Sequence, residues 1–178
     1  MLARRSFSEG GAVREDDEVF EKMNKDTARE ISAGIIVYRR TSEGPKFLLL
    51  YHGGHYWNFA KGKIEAEEKS LAAALRETME ETGLREQDLR LKNRFKAYEK
   101  YFFFKGKQRV FKIVIFYLAE TKRRDIRLSD EHEGYSWFLY RDARRILKNY
   151  RDSESVLKKA HDFVRGQYVQ PKGPPSKS

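Results

Sequence analysis

The chain has no cysteine in its 178 residues. That excludes a disulfide scaffold, cysteine-ligated zinc and thiol catalysis, and it suits a reducing compartment such as the cytoplasm. Only four histidines occur, without clustered spacing, so there is no case for zinc. No apolar run approaches the roughly 20 residues of a membrane-spanning helix. The opening residues MetLeuAlaArgArgSerPheSerGluGlyGly lack the apolar core of a secretory signal. Proline is scarce, and three of the four stand together at 171, 174 and 175. Gly166–Ser178 therefore reads as a flexible tail. No internal repeat is visible.

What the chain does have is charge. Lys and Arg number 37 against 27 Asp and Glu, a formal net charge of +10. The excess is uneven. Residues 1–30 are slightly acidic, whereas Arg90–Arg127 carries thirteen basic residues and three acidic ones. A solvated basic face that aids solubility accounts for part of this. A field that steers a polyanion accounts for it equally well. With 39% hydrophobic and 13% aromatic residues there is apolar mass for one core.

The pattern along the chain predicts a charged N-terminal arm over 1–28, one domain over 29–165 and the tail over 166–178. Val19, Phe20 and Met23 have helical spacing within the arm. Ser32–Tyr38 is apolar on both faces, like a buried strand. Phe47–Tyr51 is a second such run after a turn at 42–45. Trp57–Phe59 is a short aromatic segment. A helix is predicted over Lys69–Thr82, stopped by Gly83, with Ala72, Leu75 and Met79 as its apolar stripe. Phe95–Phe104 and Gln108–Leu118 flank LysGlyLys as a hairpin, and Tyr135–Leu139 is a further strand. Arg141–Lys148 reads as a short helix. Asp152 or Ser153 caps a last helix bearing Val156, Leu157, Ala160, Phe163 and Val164. This mixture argues for an α/β sandwich on a mixed sheet.

The chemistry concentrates in Gly62–Leu84. Glu77, Glu80 and Glu81 stand at i, i+3 and i+4, on one helical face, where like charges repel. They also lie near the helix C-terminus, the unfavourable end for negative charge. A solvated acidic face is the plain reading. A bound cation is the alternative, and all-oxygen ligands suit Mg²⁺ or Mn²⁺. Arg76 adjoins the cluster, and Glu68 lies just ahead of the helix.

The spacing resembles the Nudix box: Gly62, five residues, Glu68, seven residues, Arg76-Glu77, Thr78, Met79, Glu80-Glu81, Thr82, Gly83, Leu84. Seven specified residues match by chance at a given start on the order of 10⁻⁸ or less. Thr78 departs from the usual Ile, Leu or Val. The resemblance spans about Ile31 to Val164. It implies an α/β; Nudix-type α/β/α sandwich with a mixed β-sheet, and hydrolysis of a nucleoside diphosphate linked to another moiety with Mg²⁺ or Mn²⁺. By that resemblance Glu77, Glu80 and Glu81 are metal ligands, Glu68 supports them and Arg76 holds a glutamate by a salt bridge.

Outside the box the chain is similar to the asymmetric diadenosine tetraphosphate hydrolases of that family. His55-Tyr56-Trp57-Asn58-Phe59-Ala60-Lys61-Gly62 resembles their His-x-Trp-x-x-Pro-Lys-Gly segment, with Ala60 in place of Pro. Leu128-Ser129-Asp130-Glu131-His132 resembles their Leu-Ser-x-Glu-His loop, which makes Glu131 a further ligand or the general base. Lys112 matches a lysine that contacts the polyphosphate. It shares a face with Val110, Val114 and Phe116, where an unpaired charge is costly. A lysine can also snorkel from a strand end. His55, Lys61, Tyr101 and Tyr135 are the other candidate substrate contacts, Tyr101 as an adenine-stacking ring. His55 and His132 as surface histidines, and the aromatics of 98–104 as packing, are the plainer readings.

The resemblance implies Mg²⁺-assisted attack of water on phosphorus in a dinucleoside polyphosphate, with Glu131 or Glu77 as base. Two other readings stay open: removal of pyrophosphate from an RNA 5′ end, for which the basic stretch is suited, and a non-catalytic nucleotide or RNA sensor. The expected partner is a small nucleotide polyphosphate, with RNA possible, no membrane, and a monomeric chain.

Overall fold

The structure is a computed structural model that describes residues 27–166. The expected helix around Val19, Phe20 and Met23 and the proline-containing tail lie outside the described residues.

Strand β1 (Ala28–Thr41) is the organising element. Seven consecutive residues, Ser32–Tyr38, are buried, because the strand is covered on both faces. It starts earlier than its apolar run suggests, since Ala28–Ile31 pair in parallel with Val110–Ile113 of β7 (Gln108–Thr121). Its other edge is shared. Tyr38–Thr41 pair antiparallel with β2 (Gly44–Tyr51), and Ser32–Ile35 pair antiparallel with β4 (Ala60–Lys63). Between β2 and β4 lies β3 (Trp57–Asn58), paired with β2. β2 also takes β8 (Gly134–Leu139), and β7 takes β5 (Leu89–Leu91) and β6 (Ala97–Lys105). Among the described residues the result is an eight-stranded mixed sheet.

Helix α1 (Ser70–Thr82) covers one face of this sheet. Its Ala73 and Ala74 pack with Ala33, Ile35, Val37, Leu48 and Leu50. Helices α2 (Tyr140–Leu147) and α3 (Arg151–Val164) cover the other. Their Leu147, Val156, Leu157 and Ala160 pack with Ile36, Phe47, Phe59 and Phe116. Phe59 meets Phe116 edge-on, at 5.4 Å between centroids. The architecture is the expected α/β/α sandwich.

Three local expectations are corrected. The buried stripe of α1 is Ala73, Ala74, Thr78, Glu81 and Thr82, whereas Met79 is 46% exposed. The box threonine, Thr78, thus fills a core position. The last helix starts at Arg151 and has no side-chain cap. Ser153 is buried inside it rather than capping it, engaged with the Glu99 carboxyl. The strand read from Phe95 begins at Ala97, with Phe95 placed in the core by a preceding turn.

Candidate active site

Backbone proximity assembles the acidic cluster. β4 runs alongside β1 so closely that a Cβ on Gly34 would stand 2.2 Å from the Ala60 carbonyl oxygen. This brings the Lys61–Lys63 segment over the α1 face. There the Lys61 amide donates to the Glu81 carboxylate at 3.0 Å. Gly62 lies directly against Glu77, because a Cβ there would fall 2.0 Å from its carboxyl carbon. Only glycine leaves Glu77 this space.

Arg76 fixes the rest of the cluster. Its guanidinium donates to both oxygens of Glu68, each at 3.0 Å, to Glu77 at 2.7 Å and to the Lys63 carbonyl at 3.0 Å. A longer bond of 3.3 Å reaches Glu80, whose side chain is 52% exposed. Such forked, charge-assisted bonds set the carboxylate orientation as well as its energy. Arg76 holds three glutamates, not one, and Glu68 is its bidentate brace.

The loop after β7 closes the site. Gly83 ends α1 with φ 71° and donates to the Met79 carbonyl at 2.8 Å. The Arg127 and Ser129 amides then donate to the carbonyls of Thr82 and Glu81. Trp137 Nε1 donates to the Arg124 carbonyl at 2.9 Å, and the Ile126 amide donates to the Tyr135 hydroxyl at 3.4 Å. Glu133 donates its amide to the Tyr51 carbonyl. The loop is thereby tied at both ends, and exposed Glu131 lies where its charge acts on Glu81 and His132.

Glu81 is the buried member of the cluster, only 7% exposed. Burial is the largest influence and raises its carboxyl well above the usual range; Glu77 and Glu131 push the same way, against Lys61. Among the described residues no three His, Asp or Glu side chains form a preassembled metal cage. The glutamates lean on Arg76 and the Lys61 amide instead. The donor chemistry nevertheless fits a hard divalent cation: carboxylate oxygens, one of them buried beside two like charges. Mg²⁺ in particular keeps waters and shares substrate phosphates, so an all-protein cage is not required.

The remaining candidates divide. Lys112 is paired, with Nζ 2.6 Å from Glu30, which also takes Lys63 at 2.7 Å. Tyr101 lies opposite Lys112 in the β6–β7 ladder and lines a cavity of about 380 Å³ with Tyr56, Asn58, Glu99, Tyr150 and Ser153. Lys61 connects the two regions, since its charge acts on both Glu81 and Glu99. Tyr135 is used in packing on the α1 side and in pinning Ile126. His55 is exposed in a left-handed turn, φ 66°.

Sequence reasoning missed His52, Glu30 and Glu99. The His52 ring lies 4.4 Å from that of His132, and burial pushes its pKa down to about 4. Nothing in the spacing marked His52 or Glu30. Glu99 was legible in principle, because strand alternation from Ala97 turns it inward.

The NUDIX domain profile matches residues 28–160 of this chain. The chain belongs to the Nudix hydrolase family. It is 35% identical over 143 residues to the asymmetrical bis(5′-nucleosyl)-tetraphosphatase of Sus scrofa, covering 75% of this chain and 94% of that protein. The corresponding protein of Caenorhabditis elegans is 32% identical over 139 residues, 76% of this chain and 96% of that one. Among solved structures, a C. elegans Ap4A hydrolase binary complex superposes with a TM-score of 0.67 at 30% identity, over 77% of this chain and 98% of that one. The E. coli dihydroneopterin triphosphate pyrophosphohydrolase shares the fold, with a TM-score of 0.55 at 18% identity over 75% of this chain and 98% of that one. The molecule is thus a Nudix pyrophosphohydrolase.

Proposed function

We propose that this Nudix hydrolase cleaves dinucleoside polyphosphates with Mg²⁺, releasing ATP and AMP from diadenosine tetraphosphate. The observation that carries the reading is Glu77 and Glu81, held beside one another by Gly62, Arg76 and the Lys61 amide, with Glu131 delivered by a docked loop. Glu77, Glu80, Glu81 and Glu131 would hold Mg²⁺ or Mn²⁺, with Glu68 acting through Arg76. The bound cation supplies charge neutralisation of the phosphates and a more acidic water.

The chain's own residues do the rest. Arg76 keeps Glu77 oriented, so little reorganisation is needed on substrate binding. Lys61 and Lys112 present positive charge to the polyphosphate, Lys112 by sharing or leaving Glu30. Tyr101 stacks a base, and His55 contacts the substrate from the rim. Glu131 or Glu77 accepts the proton of the attacking water.

Incubation of the chain with Mg²⁺ and a panel of diadenosine polyphosphates, ADP-ribose, nucleoside triphosphates and 5′-triphosphorylated RNA tests the reading. AMP and ATP from the tetraphosphate are expected. Two molecules of ADP, or preference for another member of the panel, would sink it. The RNA alternative is favoured by one feature, the tip of the β6–β7 hairpin. There Phe104 is 70% exposed and Arg109 lies 4.0 Å over Phe102, a basic and aromatic surface suited to single strands. A steep salt dependence of RNA binding and turnover would support that alternative.

We further propose that the chain acts as a monomer in the cytoplasm. Among the described residues no helix is long and apolar enough to cross a membrane.

A further inference from the structure

The cavity beside Tyr101 contains a polar group that the proposed hydrolytic chemistry does not use. Glu99 is 1% exposed, on the sheet face opposite α1. Ser153 of α3 hydrogen-bonds its carboxyl, yet Oε1 has no partner. The carboxyl lines the same 380 Å³ cavity as the rings of Tyr56, Tyr101 and Tyr150. Tyr56 and Tyr150 meet edge-on at 5.1 Å, leaving a wall of aromatic surface. Asn58 is already committed, donating to the Tyr56 hydroxyl and accepting from the Phe59 amide. Glu99 is therefore the buried polar group left with an unused hydrogen-bonding atom in an aromatic slot. A buried polar atom without a partner is costly, and a ligand that satisfies it recovers the loss.

We propose that Glu99 reads the edge of a purine held in this slot and selects adenine over guanine. The inference rests on the nucleotide reading of the site given above. Tyr101 and Tyr150 supply apolar and stacking surface for any base, so selectivity has to come from a polar group. Burial, the dominant influence on Glu99, favours its protonated form, although the Ser153 hydroxyl and the charges of Lys61 and Lys112 oppose this. Asp152 adds to the push upward.

A neutral carboxylic acid offers one donor and one acceptor. Adenine presents the complement, a 6-amino group beside a ring nitrogen that accepts. Guanine presents N1–H beside a 2-amino group, two adjacent donors that call for an ionised carboxylate. It meets the neutral acid only through O6 and N1–H, and its 2-amino group must then find another partner.

The test uses AMP and GMP as binding probes and diadenosine and diguanosine tetraphosphates as substrates. The full chain is compared with Glu99→Gln and Glu99→Leu. Gln retains one donor and one acceptor, so Glu99→Gln is expected to keep an AMP preference of about tenfold or more. Glu99→Leu is expected to lose it, and the loss should appear in KM rather than in kcat. A preference unchanged in Glu99→Leu overturns the proposal. So does tighter binding of GMP by the parent chain, or a Glu99→Gln variant that loses the preference while remaining folded. AMP selectivity that depends on Glu99 in a chain that cleaves no dinucleoside polyphosphate would refute the proposed function and leave this inference standing.

Discussion

Glu81 and Glu99 are both carboxyls removed from water, on opposite faces of one sheet, and burial raises the pKa of each. Their surroundings differ. Glu81 lies among other carboxylates, with Glu77 and Glu131 acting on it and the Lys61 amide bound to it. Glu99 lies among tyrosines, with the Ser153 hydroxyl bound to it and Asp152, Lys61 and Lys112 acting on it only through their charge. A crowded carboxylate is relieved best by a cation, because one divalent charge satisfies several oxygens at once. A carboxyl walled in by aromatic rings is relieved by a proton, because burial disfavours its charged form. The same side chain thus serves two chemistries, decided by what stands within a few ångströms.

The sharpest way to break this comparison is to neutralise each carboxyl in turn. Glu81→Gln is expected to lower Mg²⁺-dependent turnover about 10³-fold without unfolding the chain, because a ligand that offsets transition-state charge is gone. Glu99→Gln is expected to keep kcat with the diadenosine substrate. Equal losses from the two would erase the distinction. Next comes Gly62→Ala, whose Cβ would displace the Glu77 carboxylate. A shift of about 1 Å at a reacting centre costs on the order of 10²-fold in kcat. Wild-type turnover from Gly62→Ala would show that Glu77 has no fixed place in the chemistry.

Stability against pH tests the Glu99 side of the comparison, with a smaller effect. The folded pKa of Glu99 is raised, so the folded chain holds a proton that the unfolded chain releases near the ordinary carboxyl value of 4.5. The Glu99 contribution is therefore fully present below that pH and is lost as pH rises toward the raised folded pKa. Denaturant midpoints of Glu99→Gln and the parent should diverge above pH 4.5 in favour of the variant. A gap that is flat with pH would mean that Glu99 ionises normally.

Thr78 offers a contrast on the α1 side. Its hydroxyl is buried without a partner. Thr78→Val should stabilise the fold by about 1 kcal/mol in chemical denaturation and leave turnover unchanged. Loss of activity there would give the orphan hydroxyl a role like that of Glu99. The smallest effect is expected from Tyr135→Phe, which removes a 3.4 Å acceptor for the Ile126 amide. A destabilisation of about 0.5 kcal/mol with unchanged KM would mark Tyr135 as packing rather than substrate contact.

The box helix, its C-terminal glycine and the order of strands were readable because they rest on local spacing and chain periodicity. The stripe of α1 was misread because Met79 looked like core and Thr78 did not. The tight approach of β4 and the loop to this helix decides which side is inside. Lys112 was marked as a charge on an apolar face, but its partner Glu30 lies 82 residues away. Only the parallel β1–β7 register, which sets Glu30 opposite Lys112, brings them together.

By itself the sequence determined the acidic helix, the arginine that adjoins it and the two glycines that open and close the motif, since these are matters of residue type and spacing. The tertiary structure decided what each charge faces. It made Arg76 the hub of three glutamates, turned Ser153 from an expected cap into a partner for Glu99, and set a buried carboxyl beside three tyrosines. The physical reason is that desolvation and pairing depend on distance in space, and strand crossovers set those distances between residues that the chain keeps far apart.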